Sequence, residues 1–250
     1  MLRELVESVE DSHEFITACE ALASDIFVYE ENEEVIYNDD ALQDFCWKSG
    51  ITKVAIIMDN FILKKGFYGY VKDTDEHGFL EPEDFIFTKW DVNYGTLEYQ
   101  VYTMACKQGV SKYFAEMEPL GDEVYAQEKC NYILEEVIKS EELLEKFHLP
   151  ARNSFDVEDI MDDLGSHDIW DIDDHFKDEV IPYIYFTFTY DEIRELNAFL
   201  AEYDIDDIHI GNIGFFWNPK TNEYDLKMFD YSGYLDASST SSYIREQLNS

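Results

Sequence analysis

The sequence predicts an α+β chain with a strand-rich first half and a helix-rich second half, and three observations predict it. Short β-branched apolar runs around tight turns precede residue 130. Apolar residues at three- and four-residue steps dominate after it. Near the end, Ile213-Gly214-Phe215-Phe216-Trp217 and Tyr224-Asp225-Leu226-Lys227-Met228-Phe229 flank Asn218-Pro219-Lys220-Thr221-Asn222, which reads as a hairpin. This order suggests two lobes with a crossover around Gln127 to Asn131, and a cleft between lobes is a favoured ligand site.

Residues 1–30 form an N-terminal helical segment, with Leu2, Leu5, Val6, Val9, Phe15, Ile16, Cys19 and Leu22 on one stripe. Residues 31–130 are the β-rich part. An acidic patch leads into Ala41 to Trp47, and Lys48-Ser49-Gly50 reads as a turn. Lys53 to Met58 is a strand, Asp59-Asn60 a tight turn, and Phe61 to Lys64 a second strand. A long Gly- and Asp-rich connection runs from Gly66 to about Asn93. A helix follows from Thr96, its N-cap, to Gln108, with Gly109 as C-cap. Tyr113 to Met117 and Val124 to Glu128 read as strands around Pro119-Leu120-Gly121-Asp122.

Residues 131–250 are the helical part carrying the hairpin. Ile133, Leu134, Val137, Ile138, Leu143, Leu144 and Phe147 mark one buried helix face, stopped by Pro150. The stretch 151–179 is strongly acidic and reads as a solvated face. It contains His167 and His175, but no register supplies both the sixth-place Gly and the twelfth-place Glu of a calcium loop. Tyr183 to Phe188 is a strand or a buried helix start. Tyr190 to about Tyr203 is an amphipathic helix that turns Ile193, Leu196, Phe199 and Leu200 inward.

Composition narrows the function classes. At 46% hydrophobic and 16% aromatic, 250 residues are ample for a core of one large or two small domains. No apolar run approaches a membrane span, and Met1 to Glu7 lacks a signal peptide's apolar stretch. Cys19, Cys46, Cys106 and Cys130 are scattered, without a C-x-x-C pair, and read as small buried hydrophobes in a reducing compartment. The expectation is a cytoplasmic protein. Only 18 Lys and Arg oppose 56 Asp and Glu, a formal charge of −38 with pI near 4.1. Direct nucleic-acid binding needs clustered basic residues, so it is disfavoured, as is binding to an anionic membrane surface. Such a field attracts a basic partner instead.

The most chemically pointed stretch is Asp207-Ile208-His209-Ile210-Gly211-Asn212, followed by the hairpin and Asp230-Tyr231-Ser232-Gly233. Asp, Asn and Gly also punctuate ordinary turns. Their combination across a hairpin is the pattern by which a phosphotransferase places one Asp on an acceptor hydroxyl and an Asn and a second Asp on divalent ions.

On these residues the chain resembles the protein-kinase-like superfamily, in particular short aminoglycoside-phosphotransferase-like kinases of bacteria and bacteriophages. The resemblance implies a bilobal kinase-like fold with a β-rich N-lobe and a shortened helical C-lobe. It implies ATP and Mg2+ as cofactors and, for a phage-encoded chain, the host cytoplasm. Asp207 would be the catalytic Asp, while Asn212 and Asp230 would be metal ligands. Lys64 would pair with nucleotide phosphates, and Glu98 would position that lysine. Gln127, Glu128 and Lys129 would form the hinge against the adenine. Lys65 competes with Lys64, and Asp206 with Asp207. His209 is read as orienting the loop through backbone hydrogen bonds.

Departures from the family pattern leave a second expectation. No G-x-G-x-x-G loop precedes Val54, only Ser49-Gly50, and the sequence given ends soon after Gly233 with no activation segment. The alternative is a pseudokinase-like, highly acidic nucleic-acid mimic or inhibitor that occupies a basic host or defence protein.

Overall fold

The turn at Asp59-Asn60 sets the geometry on which the rest of the first sheet is built. Met58 N–H donates to Phe61 O at 3.0 Å, closing a two-residue hairpin. In the computed structural model the described residues are 1–23, 28–31, 34–37, 40–49, 53–66, 68–72, 87–151, 154–164, 180–205, 208–231 and 237–249. They fall into two compact units, residues 1–100 with 117–128, and residues 101–116 with 129–250.

The first unit contains, in chain order, α1 (Leu2–Glu7), α2 (His13–Ala23), β1 (Val28–Glu31), β2 (Glu34–Tyr37), β3 (Trp47–Ser49), β4 (Lys53–Ile57), β5 (Phe61–Gly66), β6 (Tyr68–Lys72) and β7 (Phe87–Asn93). Helix α3 (Tyr94–Gln108) crosses the unit boundary, and β8 (Met117–Gly121) and β9 (Val124–Glu128) return to the first unit. Five strands form an antiparallel sheet in the order β3-β4-β5-β9-β8. The hairpin register pairs Ile57 with Ile62, Ala55 with Lys64 and Lys53 with Gly66. On the other side of β5, Ile62 pairs with Gln127 and Lys64 with Tyr125.

A period of two then sorts the side chains between two faces. Val54, Ile56, Phe61, Leu63, Val124 and Ala126 form one core with Leu2, Val6, Phe15, Ala18 and Leu22 of α1 and α2. Lys53, Lys64 and Gln127 occupy the opposite face, and Glu98 of α3 meets all three. Helix α3 buries Leu97, Glu98, Val101, Met104 and Ala105, a stripe at helical spacing with one carboxylate in it.

Several expectations are corrected in this unit. The cap of α3 is Asn93, whose Oδ1 accepts from Thr96 N–H at 3.0 Å; the Thr96 hydroxyl instead shares a hydrogen bond of 2.9 Å with Tyr125. The connection from Gly66 to Asn93 holds the antiparallel pair β6 and β7. Residues 28–31 are strand, not the end of a helical segment, and the helical stretch before them is broken. Ser12 restarts it at α2 by accepting from Phe15 N–H at 3.2 Å. Tyr113 closes a 3-10 turn (Ser111–Tyr113), so the strand expected from Tyr113 begins at Met117. Gly109 does end α3, with φ at +81°.

The second unit contains β10 (Tyr132–Ile133), α4 (Leu134–Val137), α5 (Glu141–Lys146), α6 (Val157–Leu164), α7 (Ile181–Thr187), α8 (Tyr190–Glu202), β11 (Ile213–Asn218), β12 (Glu223–Met228) and α9 (Ala237–Asn249). The hairpin β11–β12 forms as expected, and β10 adds antiparallel to β11. The single helix expected after residue 131 is divided: Ser140 caps α5 by accepting from Leu143 N–H at 3.3 Å. Tyr183 to Phe188 resolves to helix, in α7. Helix α8 is closed by a capping box between Thr189 and Glu192. Phe114 anchors the core of this unit, edge-on to Phe199 and Tyr231 with centroids 5.2 and 5.0 Å away. Helix α9 has no counterpart in the sequence reading.

The chain is thus a mixed α+β protein with an antiparallel N-terminal sheet and a largely helical C-terminal part. All four cysteines are thiols outside any disulfide, but Cys46 and Cys106 are exposed, which corrects their reading as buried hydrophobes. Cys106 is on α3 just past the buried pair Met104 and Ala105, where the helix turns outward. Among the described residues no helix is long and apolar enough to cross a membrane. His167, His175 and most of the acidic stretch lie outside the described residues.

Candidate functional site

Two groups of candidate residues are built by local structure, one in each unit. In the first, Glu98 is fully buried on α3 and its carboxylate gathers three donors from three elements of sheet. Lys53 of β4 approaches Oε2 at 2.8 Å, and Lys64 of β5 approaches Oε1 at 3.3 Å. Gln127 Nε2 of β9 donates to the same Oε1, also at 3.3 Å. Both lysine side chains are only 6% exposed, so this is a dry ion cluster and not a surface pair. The structure therefore brings Lys64 and Glu98 together. It also adds Lys53, which the sequence reading passed over.

Gln127, expected at the hinge, is a strand residue. It stands inside β9, fully buried, with its side chain directed onto Glu98. Its Oε1 is buried and accepts no hydrogen bond from the described residues. Glu128 ends the strand, 9% exposed, and Lys129 follows it. Lys65 pairs with Val54 and Val124 in the sheet, and alternation puts it on the face opposite Lys64.

In the second unit the loop before β11 is fixed by its own backbone. Asn212 N–H donates to His209 O at 2.9 Å, and Gly211 N–H donates to His209 Nδ1 at 3.0 Å. An acceptor at Nδ1 leaves the proton of a neutral imidazole on Nε2. Ile210 O accepts from Glu135 N–H at 3.1 Å, tying the loop to α4. Phe229 N–H donates to Asn212 O at 3.0 Å, extending the β11–β12 ladder one pair beyond Ile213 and Met228. Asp230 is the next residue, so the ladder itself draws Asn212 and Asp230 to the same end of the hairpin. Asn212 is 8% exposed and Tyr231 fully buried, which leaves the segment little freedom. Asp207, Asp206, Ser232 and Gly233 lie outside the described residues.

An amide oxygen and a carboxylate are hard oxygen donors, a set that suits Mg2+. Mg2+ is commonly held by one or two carboxylates, with substrate phosphates and water completing the shell. Among the described residues no three His, Cys, Asp or Glu side chains converge as a self-sufficient metal cage.

No family model matches this chain, and no curated protein is similar to it in sequence. Among solved structures, it is similar to the crystal structure of the Rio2 kinase–ADP/Mg2+–phosphoaspartate complex from Chaetomium thermophilum. That likeness has 12% sequence identity and a TM-score of 0.37, and it covers 95% of this chain and 67% of that one.

Proposed function

We propose that the chain is a kinase-like protein acting as an ATP- and Mg2+-dependent phosphotransferase. Lys64, held by Glu98, would meet the nucleotide's phosphates. Glu128 and Lys129 would border the adenine, Asn212 and Asp230 would hold the divalent ion, and Asp207 would orient the acceptor hydroxyl. The observation that carries this reading is the fully buried Glu98 carboxylate in ion contact with Lys64. A buried carboxylate is rare unless paired, and kinase-type phosphoryl transfer requires a strand lysine paired with a helix glutamate. The backbone pairing of Asn212 with Phe229, the residue before Asp230, supports it independently. Such catalysis is positioning and charge stabilisation, and the metal, when bound, neutralises charge on the phosphates.

Thermal melting with ATP, with and without Mg2+, tests the reading on wild type and on Asp230→Ala. Binding to the folded state alone raises the midpoint. The wild type should rise only with ATP and Mg2+ together, and Asp230→Ala should lose that rise. A wild-type midpoint unmoved by ATP and Mg2+ removes the reading.

The charge of −38 favours a second reading, an acidic mimic of nucleic acid that captures a basic nucleic-acid-binding protein. That role predicts salt-sensitive binding to such a protein, competed by duplex DNA or RNA and indifferent to Asp230→Ala.

A further inference from the structure

The Glu98 carboxylate is not divided evenly among its partners. A charge-assisted N–H to carboxylate contact has its full strength at about 2.7–2.9 Å. Among the described residues, Lys53 stands at 2.8 Å from Oε2 and has that oxygen to itself, whereas Lys64 stands at 3.3 Å from Oε1 and shares that oxygen with Gln127. Sheet register produces this inequality. Lys53 and Lys64 lie on the same face of adjacent strands, because Lys53 pairs with Gly66 and Lys64 with Ala55. The two ammonium groups therefore reach one carboxylate from diagonal positions, and only one of them holds an oxygen alone.

Resting on the phosphotransferase reading above, we propose that Lys53 is a positioning residue. It anchors Glu98, which leaves Lys64 as the cation that can turn to the nucleotide's phosphates. If Lys64 were the sole partner, its turn toward phosphate would strand a fully buried carboxylate with only a neutral amide donor. Burying an unpaired charge is costly, so the ion pair would resist the movement that nucleotide binding asks of it. With Lys53 on Oε2, Glu98 stays neutralised whichever way Lys64 points. Lys53 acts through Glu98.

The test combines ligand binding with a measurement that needs no ligand. Mg2+-ATP and adenosine are titrated against wild type, Lys53→Met, Lys53→Arg and Lys64→Met. Loss of one charged hydrogen bond corresponds to roughly a tenfold to hundredfold fall in affinity. Lys53→Met should weaken Mg2+-ATP about tenfold, Lys64→Met about a hundredfold or more, and adenosine should bind all four alike. Lys53→Arg should restore most of the ATP affinity. General damage to the fold would weaken adenosine as well, which separates positioning from structure. In parallel, urea denaturation of Lys53→Met, Lys64→Met, Glu98→Gln and the two double variants yields the coupling of each lysine to Glu98. The Lys53 coupling should be the larger. Unaltered ATP binding by Lys53→Met, or a larger Lys64 coupling, overturns the proposal. A wild type that binds no nucleotide overturns the phosphotransferase reading and the phosphate role of Lys64; the coupling comparison then decides by itself whether Lys53 anchors Glu98.

Discussion

Replacing Glu98 by Gln removes one negative charge and almost no volume, so its effect reads the ion cluster nearly alone. At an effective dielectric near 20, a contact at 2.8 or 3.3 Å carries about 5–6 kcal/mol of Coulomb attraction. Most of that offsets the desolvation of Glu98 and of two lysines that are 6% exposed. The net loss on breaking such a buried cluster is about 3–5 kcal/mol. A typical domain has about 5–15 kcal/mol in total, so Glu98→Gln should lose a large share of its folding free energy. Urea denaturation followed by circular dichroism gives the quantity directly, with the midpoint lowered and the slope unchanged. Lys64→Met should cost less than Glu98→Gln, because Lys53 remains on Oε2. A Glu98→Gln midpoint equal to wild type would refute the reasoning, since it would mean the carboxylate is solvated and not enclosed.

Two further outcomes follow from other parts of the chain. A Cβ on Gly66 would collide with Gly95 N and stand 2.6 Å from Asn93 Oδ1, the atom that caps α3, so Gly66→Ala should melt well below wild type. Overpacking usually costs about 1–3 kcal/mol, and here the obstacle is backbone that cannot rotate away; a melting curve like wild type would contradict this. In the second unit, the Lys112 ammonium and then the Thr189 N–H hold the Glu192 carboxyl at about 2, below its ordinary 4.5. A depressed carboxyl stabilises the fold in full above about pH 4.5 and loses that contribution as pH falls toward about 2. The melting gap between wild type and Lys112→Met should therefore shrink between those limits; a gap constant with pH would count against the linkage.

Local chemistry carried much of the fold. The Asp59-Asn60 turn between β-branched runs and the Asn218 to Asn222 turn each announced a hairpin, because turn geometry is decided by a few adjacent residues. Helix α8 was legible from its apolar period, and Gly109 from the left-handed conformation a helix end favours. Thr96 was misread as a cap because two polar residues competed for the role. A contact with Tyr125, distant in sequence, took the hydroxyl of one and left the other to cap. Tyr183 to Phe188 was undecidable between strand and helix, since a short apolar run suits either when buried. The division at Ser140 and the pair β6 and β7 were likewise settled by packing.

The candidate site divides along the same line. Sequence alone singled out Asn212 and Asp230 through motif spacing across a hairpin, and Lys64 and Glu98 through the resemblance to kinase-like proteins. It also contained an unread clue to Lys53. A two-residue turn at Asp59-Asn60 dictates that Lys53 shares a face with Lys64, because pairing register follows from loop length. Only the tertiary structure decided that both lysines and Gln127 converge on one carboxylate. It also decided that Lys53 holds the shorter contact and that Gln127 directs its side chain onto Glu98. The physical reason is that burial and ion pairing join residues far apart in the chain. Their strength depends on tenths of an ångström, which only packing sets.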